Sequence, residues 1–262
     1  MVAAPKFPGR QLIMLFTRLK ETISRHWPQQ WHPYHLARRK IHRAARAGVI
    51  SGPFKGLRYV ERSLGSAYEP KLLGIYELEL HTIIEALCRQ NFPVMIDVGA
   101  AEGYYAVGMT WRHPATRMLA YEAEAEGRVL IARLAELNKV ESFLDIRGYC
   151  SSAELRQQIQ RYSSGLLMMD VEGGEEDLLD TETASYLATW TVLVETHDYL
   201  RAGISARLKS RFAGTHQIQE IPTRERRLED LPLRSLWLDR WLLKFTREFR
   251  PGPQLWLFLK PG

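Results

Sequence analysis

The 262-residue sequence predicts an α/β fold: a Rossmann-like, mostly parallel, doubly wound sheet with an N-terminal helical extension. Three observations point there. Short apolar runs alternate with helical patterns from residue 94 to residue 212. The runs Val94–Val98, Met118–Tyr121, Phe143–Ile146, Leu166–Val171 and Thr191–Glu195 are continuous, as expected of strands covered on both faces. The first run ends in Asp97-Val98-Gly99, a strand-to-helix turn at the edge where such sheets bind ligands.

Taken in order, residues 10–25 put Leu12, Leu15, Phe16, Leu19 and Ile23 on one side of a helix. A break from Trp27 to Pro33 precedes a basic helix over roughly 35–47, which stops at Gly48. Residues 49–66 read as a short hairpin or loop punctuated by Gly52-Pro53, Gly56 and Gly65. From Glu69 to Gln90 the spacing of Leu72, Leu73, Tyr76, Leu80, Ile83, Ile84 and Leu87 predicts one long amphipathic helix. Further helices are expected over about 103–111, 125–139, from Ser151, 175–187 and 201–212. Ser151-Ser152-Ala153-Glu154 is a capping-box sequence. Thr215–Ile221 and Gln254–Leu259 read as the sixth and seventh strands. The charged stretch between them holds Trp237 and Trp241, four apart and so on one helical face. The expected division is a basic helical arm or cap over 1–90 and a ligand-binding domain over 91–262. A substrate-side insertion is expected at about 222–250.

Composition narrows the class. Apolar residues make up 45% of the chain, which excludes a disordered protein. Cys88 and Cys150 have no metal-ligand spacing and form no disulfide framework, so a reducing cytoplasm is expected. Residues 1–50 hold ten Lys or Arg against Glu21 alone, while the whole chain is only +6, so the remainder is net acidic. A nucleic-acid enzyme spreads basic residues along its cleft, and no nucleic-acid partner is expected. The longest apolar run of the arm, Leu12–Phe16, is too short to span a bilayer or to form a signal-peptide core.

The candidate cofactor site is Asp97-Val98-Gly99-Ala100-Ala101-Glu102-Gly103. Gly99 and Gly103 tolerate left-handed backbone and carry no Cβ to block a ligand. Asp97 can accept from an ammonium group. Glu122, 23 residues after Gly99, ends the next strand, where an acid takes the hydroxyls of a ribose. A lone Gly-x-x-x-Gly also serves helix–strand packing; the full set is more demanding. A nicotinamide dinucleotide expects a second glycine where Ala101 stands, so the pattern favours S-adenosylmethionine (SAM). Asp97, Gly99, Ala100, Gly103, Tyr104 and Glu122 are the cofactor-binding candidates, with Asp170 nearby.

The fourth strand runs into Asp170-Val171-Glu172-Gly173-Gly174-Glu175, and the fifth ends in Glu195-Thr196-His197. With Asp97–Gly103, these segments resemble FkbM-type methyltransferases, which carry Asp-x-Glu-Gly-x-Glu after strand four and Glu-x-His near the end of strand five. The resemblance covers about residues 94–200. It implies a class I methyltransferase fold with a seven-stranded sheet, SAM as cofactor, and O-methylation of a sugar, natural product or other small hydroxylated metabolite.

A hydroxyl is a poor nucleophile until a base takes its proton. His197 suits that role near neutral pH, with Glu195 to orient it or bind substrate and Asp170 facing the methyl region. A structural histidine is the equal alternative. Asp170, Glu195 and His197 also suit a divalent ion, but no metal ligand is assigned. Glu172 is a candidate to fix the turn or touch substrate. Glu175, Glu176 and Asp177 read as acids at a helix start, stabilised by its dipole. Tyr76, Glu77, Tyr104, Tyr105, Tyr149 and the Trp pair are candidate substrate walls. The helix from His35 to Arg46 reads as a solvated face, a lid, or a basic surface for an anionic membrane in peripheral contact or for an acidic or phosphorylated substrate. A homo-oligomer is compatible with the sequence. The rival readings are a non-methylating SAM-binding enzyme and a SAM- or nucleotide-binding module recruited through the arm.

Overall fold

The computed structural model describes residues 31–252 and 254–262. The helix expected over 10–25 lies outside the described residues. The chain builds a seven-stranded sheet of β1 (Val94–Val98), β2 (Arg117–Tyr121), β3 (Leu144–Arg147), β4 (Leu166–Met169), β5 (Thr191–Thr196), β6 (His216–Pro222) and β7 (Leu255–Pro261). Its order is β3-β2-β1-β4-β5-β7-β6. The first five strands pair in parallel, and β7 runs antiparallel between β5 and β6. This is the expected Rossmann-like, mostly parallel seven-stranded sheet. The strand order reverses between β1 and β4, which puts a crevice at their carboxyl ends.

Strand parity sorts the core into two layers. Val94, Ile96, Val98, Leu167, Met169, Val192 and Val194 face a cluster with Leu155, Ile159, Leu179, Ile204, Leu208 and Phe212. These come from α6 (Ser152–Ile159), from α7 (Glu175–Leu178) with the turn after it, and from α9 (Ile204–Phe212). Met95, Leu166, Met168, Leu193, Trp256 and Phe258 face the other layer. There α4 (Tyr104–Arg112), α5 (Ala125–Asn138) and residues 49–88 cover them. Asp97 and Glu195 share the parity of Met95 and Leu193, so both acids lie on the layer that the N-terminal segment covers.

Several elements differ from the sequence expectation. The long helix over 69–90 is broken into α2 (Tyr68–Leu73) and α3 (His81–Leu87). Gly74 takes a left-handed φ of 70°, where a Cβ would lie 1.9 Å from the Ser51 carbonyl oxygen. Glu77 is also left-handed, at φ 45°. The helix over 175–187 splits into α7 and α8 (Thr181–Tyr186), because Asp180 caps α8 by accepting from the Thr183 amide at 2.8 Å. Only half of the capping box forms: Ser151 Oγ accepts from the Glu154 amide, while the Glu154 carboxylate turns to Tyr121, Arg147 and Gln158. Residues 49–66 are a loop without strands, closed by Val49 donating to the Leu57 carbonyl and Gly56 to that of Val49.

The expected cap and insertion are packed together. Ala37 and Ile41 of α1 (Pro33–Ala44), Leu72, Leu73 and Ile75 share a core with Leu231, Leu238, Leu242 and Phe245. The apolar side of the basic helix is therefore spent inside the protein, leaving its cationic side outward. Trp237 precedes α10 (Asp239–Leu242), so it shares no helical face with Trp241. Trp241 instead packs against His32 and Tyr34. Both cysteines are buried and free. No helix among the described residues is long and apolar enough to cross a membrane.

Candidate active site

The loop after β1 is held in place by backbone geometry. The amides of Gly99 and Ala100 both donate to the Tyr121 carbonyl, at 2.9 and 3.0 Å. Gly99 has φ 86°, and a Cβ on it would meet the Asp170 carbonyl oxygen at 1.7 Å. Gly103 has φ 97°, and its Cβ would press on Val107 and Ile131. The glycines are thus required by neighbouring chain rather than by clearance for a ligand, which corrects the reason the sequence suggested. Ala101 follows the same turn at φ 49°.

Glu122 sits just beyond β2. One carboxylate oxygen accepts from the Ala101 amide at 2.8 Å and the other from the Glu124 amide at 2.7 Å. Each oxygen keeps a lone pair for a further donor. Asp97 is buried, and its Oδ2 has no hydrogen-bond partner. Burial first, and then the charge of Asp170, push its carboxyl up to about 7.

Tyr104 takes a different place. Its ring is buried edge-on to Phe54, Tyr59, Tyr76 and Tyr105, within the layer under the N-terminal segment. Tyr149, two residues past the end of β3, is exposed. Glu102, to which the sequence gave no role, is completely buried. It accepts from Lys71 Nζ at 2.5 Å, Tyr59 Oη at 2.7 Å and the Leu64 amide at 3.1 Å. It fastens the loop after β1 to the N-terminal segment.

At the ends of β4 and β5 the FkbM-like segments meet. His197 is fully buried, and its Nδ1 lies 2.5 Å from Glu175 Oε1. An ionised carboxylate only accepts, so Nδ1 carries the proton and Nε2 turns inward. Nε2 has no hydrogen-bond partner. It lies 3.5 Å from Asp170 Oδ1, 3.5 Å from Glu172 Oε2 and 3.8 Å from Glu195 Oε2. Burial lowers the basicity of this imidazole, but the hydrogen bond it donates to Glu175 and the charges of Asp170, Glu175 and Glu172 outweigh it, and its pKa is raised.

The orienting acid is therefore Glu175, not Glu195. Glu175 stands at the start of α7 as expected, but it is completely buried, with its carboxylate turned to the imidazole. Glu176 and Asp177 also occupy that start, paired with Arg207 and Arg201. Glu172 is held left-handed at φ 50° and accepts from Tyr199 Oη at 3.0 Å. Such a conformation costs about 1–3 kcal/mol in a non-glycine residue and persists only where the surroundings enforce it.

Glu195 is engaged elsewhere. It pairs with Arg250, which also reaches Glu77 at 2.7 Å and Glu248 at 3.0 Å. Tyr105 donates to Glu77, whose own amide donates to Glu248 at 2.9 Å. Arg226 bridges Glu79 and Glu248 at 2.8 and 2.5 Å. Burial, then Asp170 and Glu77, raise the Glu195 carboxyl well above its usual range. A cavity of about 1120 Å³ opens beside this network, with Arg226, Trp241, Arg247, Glu248, Phe249 and Arg250 among its walls. Sequence reading missed Arg250 and Glu248, which carry no motif. The strand-end crevice is lined by acids, whereas the adjoining cavity is mostly cationic, with Arg224, Arg226, Arg240, Lys244, Arg247 and Arg250 in its walls.

No family model and no curated protein sequence matches the chain. Solved structures do. A putative O-methyltransferase from Klebsiella pneumoniae is 10% identical, with 92% of this chain and 95% of that one covered and a TM-score of 0.48. A putative tRNA (m1A22) methyltransferase from Streptococcus pneumoniae, in complex with S-adenosyl-L-methionine, is 13% identical over 69% and 72% of the two chains, with a TM-score of 0.45. The METTL16 MTase domain is 11% identical over 87% and 80%, with a TM-score of 0.49.

Proposed function

We propose that this protein is a SAM-dependent methyltransferase of FkbM type that methylates a hydroxyl oxygen on a small acceptor, a sugar or other hydroxylated metabolite. The residues fit the cofactor. SAM is cationic at its ammonium and sulfonium groups, and buried Asp97 with an unpartnered oxygen, next to Asp170, suits a positive partner. Asp97, the Gly99–Gly103 loop and Glu122 would hold it. When bound, it supplies an electrophilic methyl group.

One observation carries the reading: His197 Nε2 is buried, oriented through Nδ1 by Glu175, and has no partner. That is the disposition of a proton acceptor for a hydroxyl held at the ends of β4 and β5. The FkbM resemblance is supported by the same bond, which joins its two sequence segments. The adjoining cavity is roomy enough for the acceptor.

The test is a labelled-methyl assay over a panel of sugars and hydroxylated metabolites, with SAM binding followed by calorimetry. Binding that is unchanged in Gly99→Val and Glu122→Ala would sink the cofactor assignment. Full transfer by His197→Ala would remove the base.

A further inference from the structure

Nε2 of His197 faces more negative charge than a proton acceptor needs. Asp170, Glu172 and Glu195 each bring a carboxylate oxygen within 3.8 Å of it. Donor atoms of Asp170, Glu172 and His197 all lie within 4.8 Å of one another. Donors ~2.1 Å from one ion sit roughly 3.0 Å apart at right angles and about 4.2 Å apart when opposed. The observed spacings need only small side-chain adjustments to meet those values.

Two of the atoms are unsatisfied as well as close. Asp170 Oδ1 and His197 Nε2 are both buried and both lack a hydrogen-bond partner. Leaving such atoms unpaired is costly, and one cation between them would satisfy both. The far side of the ring has the arrangement that metal-binding imidazoles show, with the other ring N–H given to a carboxylate, here Glu175. Glu172 is fixed in turn by Tyr199 and by its enforced backbone conformation.

We infer that Asp170, Glu172 and His197 form a divalent-cation site, with Glu175 positioning the imidazole and Glu195 at its edge. This departs from the sequence reading, which assigned no metal. Two carboxylates and one imidazole, without a thiolate, suit Mn²⁺ or Mg²⁺, and the nitrogen favours Mn²⁺. The inference rests on the functional reading and changes one part of it. Nε2 would act as a ligand, and the cation would polarise the acceptor hydroxyl, whose proton would pass to the Glu195 carboxylate at the edge of the site as the methyl group leaves the SAM sulfur for the oxygen. The exposed side of Glu172 leaves an approach for that hydroxyl.

The test uses the chelator-stripped full chain and Mn²⁺ alone. Calorimetry and the loss of the free-ion electron paramagnetic resonance signal should report one Mn²⁺ per chain. Asp170→Asn and His197→Ala should each weaken binding at least tenfold. Glu175→Gln should weaken it by about 10–100-fold, as loss of a partner behind a ligand does. Glu182→Gln, on the exposed surface of α8, should leave binding unchanged. Pulsed resonance of the wild-type complex should show a nitrogen coupling from the imidazole, a readout that needs no variant to fold. Absence of saturable binding at millimolar Mn²⁺, or binding without nitrogen coupling, overturns the site. Methyl transfer that survives chelator while no Mn²⁺ binds overturns the cation alone. A bound cation with no methyl acceptor found counts against the functional reading alone.

Discussion

At the ends of β1 and β2, Glu122 is held by the amides of Ala101 and Glu124, 21 and two residues away along the chain. At the end of β5, Glu195 and Glu77 are held by Arg250, 55 and 173 residues away. The first half of the strand-end surface is made of backbone: amides, carbonyls and left-handed turns that neighbouring residues set. The second half is made of long charged side chains arriving from the N-terminal segment, from both middle strands and from the tail. A backbone-built half is rigid and indifferent to distant change. A half built from converging charges depends on every contributor, because a buried charge that loses its partner costs several kcal/mol.

That contrast yields predictions of decreasing size. His197→Ala should lower methyl transfer by about 10²–10⁴-fold while SAM affinity, belonging to the other half, changes little. Parallel kinetics and calorimetry check both numbers, and a matching loss of SAM affinity would mean that the halves are not separable. Arg250→Met leaves Glu77 and Glu195 buried without a cation. It should cost about 3–5 kcal/mol in denaturant unfolding, with the acceptor side affected first. Gly99→Ala introduces a Cβ against the Asp170 carbonyl oxygen. About 1–3 kcal/mol of overpacking and about 1–2 kcal/mol for the left-handed backbone are expected, with SAM binding weakened in step.

The last prediction concerns pH. Burial alone would raise the Glu102 carboxyl, but Lys71, Tyr59 and the Leu64 amide hold it below its ordinary value of 4.5. A group with a depressed folded pKa stabilises fully above its unfolded value, and the contribution fades as pH falls through the folded one. Unfolding free energy should therefore decline below about pH 4.5 more steeply in the wild type than in Glu102→Gln. Denaturant titrations over that range measure the difference in slope, and identical slopes would remove the linkage.

Much of the frame was legible beforehand. The five parallel strands fall within a residue or two of their apolar runs, since a strand buried on both faces has little choice of composition. Asp97, Gly99 and Glu122 were legible because a strand-to-helix turn writes its needs into adjacent positions. The unbroken helix over 69–90 was a misreading with a physical cause. Its apolar spacing is real, but Glu77 leaves the helix to meet Arg250, Tyr105 and Glu248, and tertiary pairing overrides local propensity. Glu175 stands at its expected helix start, but its partner was not legible: a glutamate there looks the same whether it faces water or a buried imidazole.

The sequence by itself determined the α/β sheet, the turn after β1 and the identity of the acids and histidine near the strand ends. These follow from periodicity and from backbone demands that act over a few residues. Only the tertiary structure decided what those acids do. It gave Glu175 to His197, gave Glu195 to Arg250, tied Glu102 to Lys71, and left Asp170 Oδ1 and His197 Nε2 facing each other without partners. Such assignments are settled by distances between residues far apart in the chain and by the cost of leaving buried charge unpaired, and neither is written in local sequence.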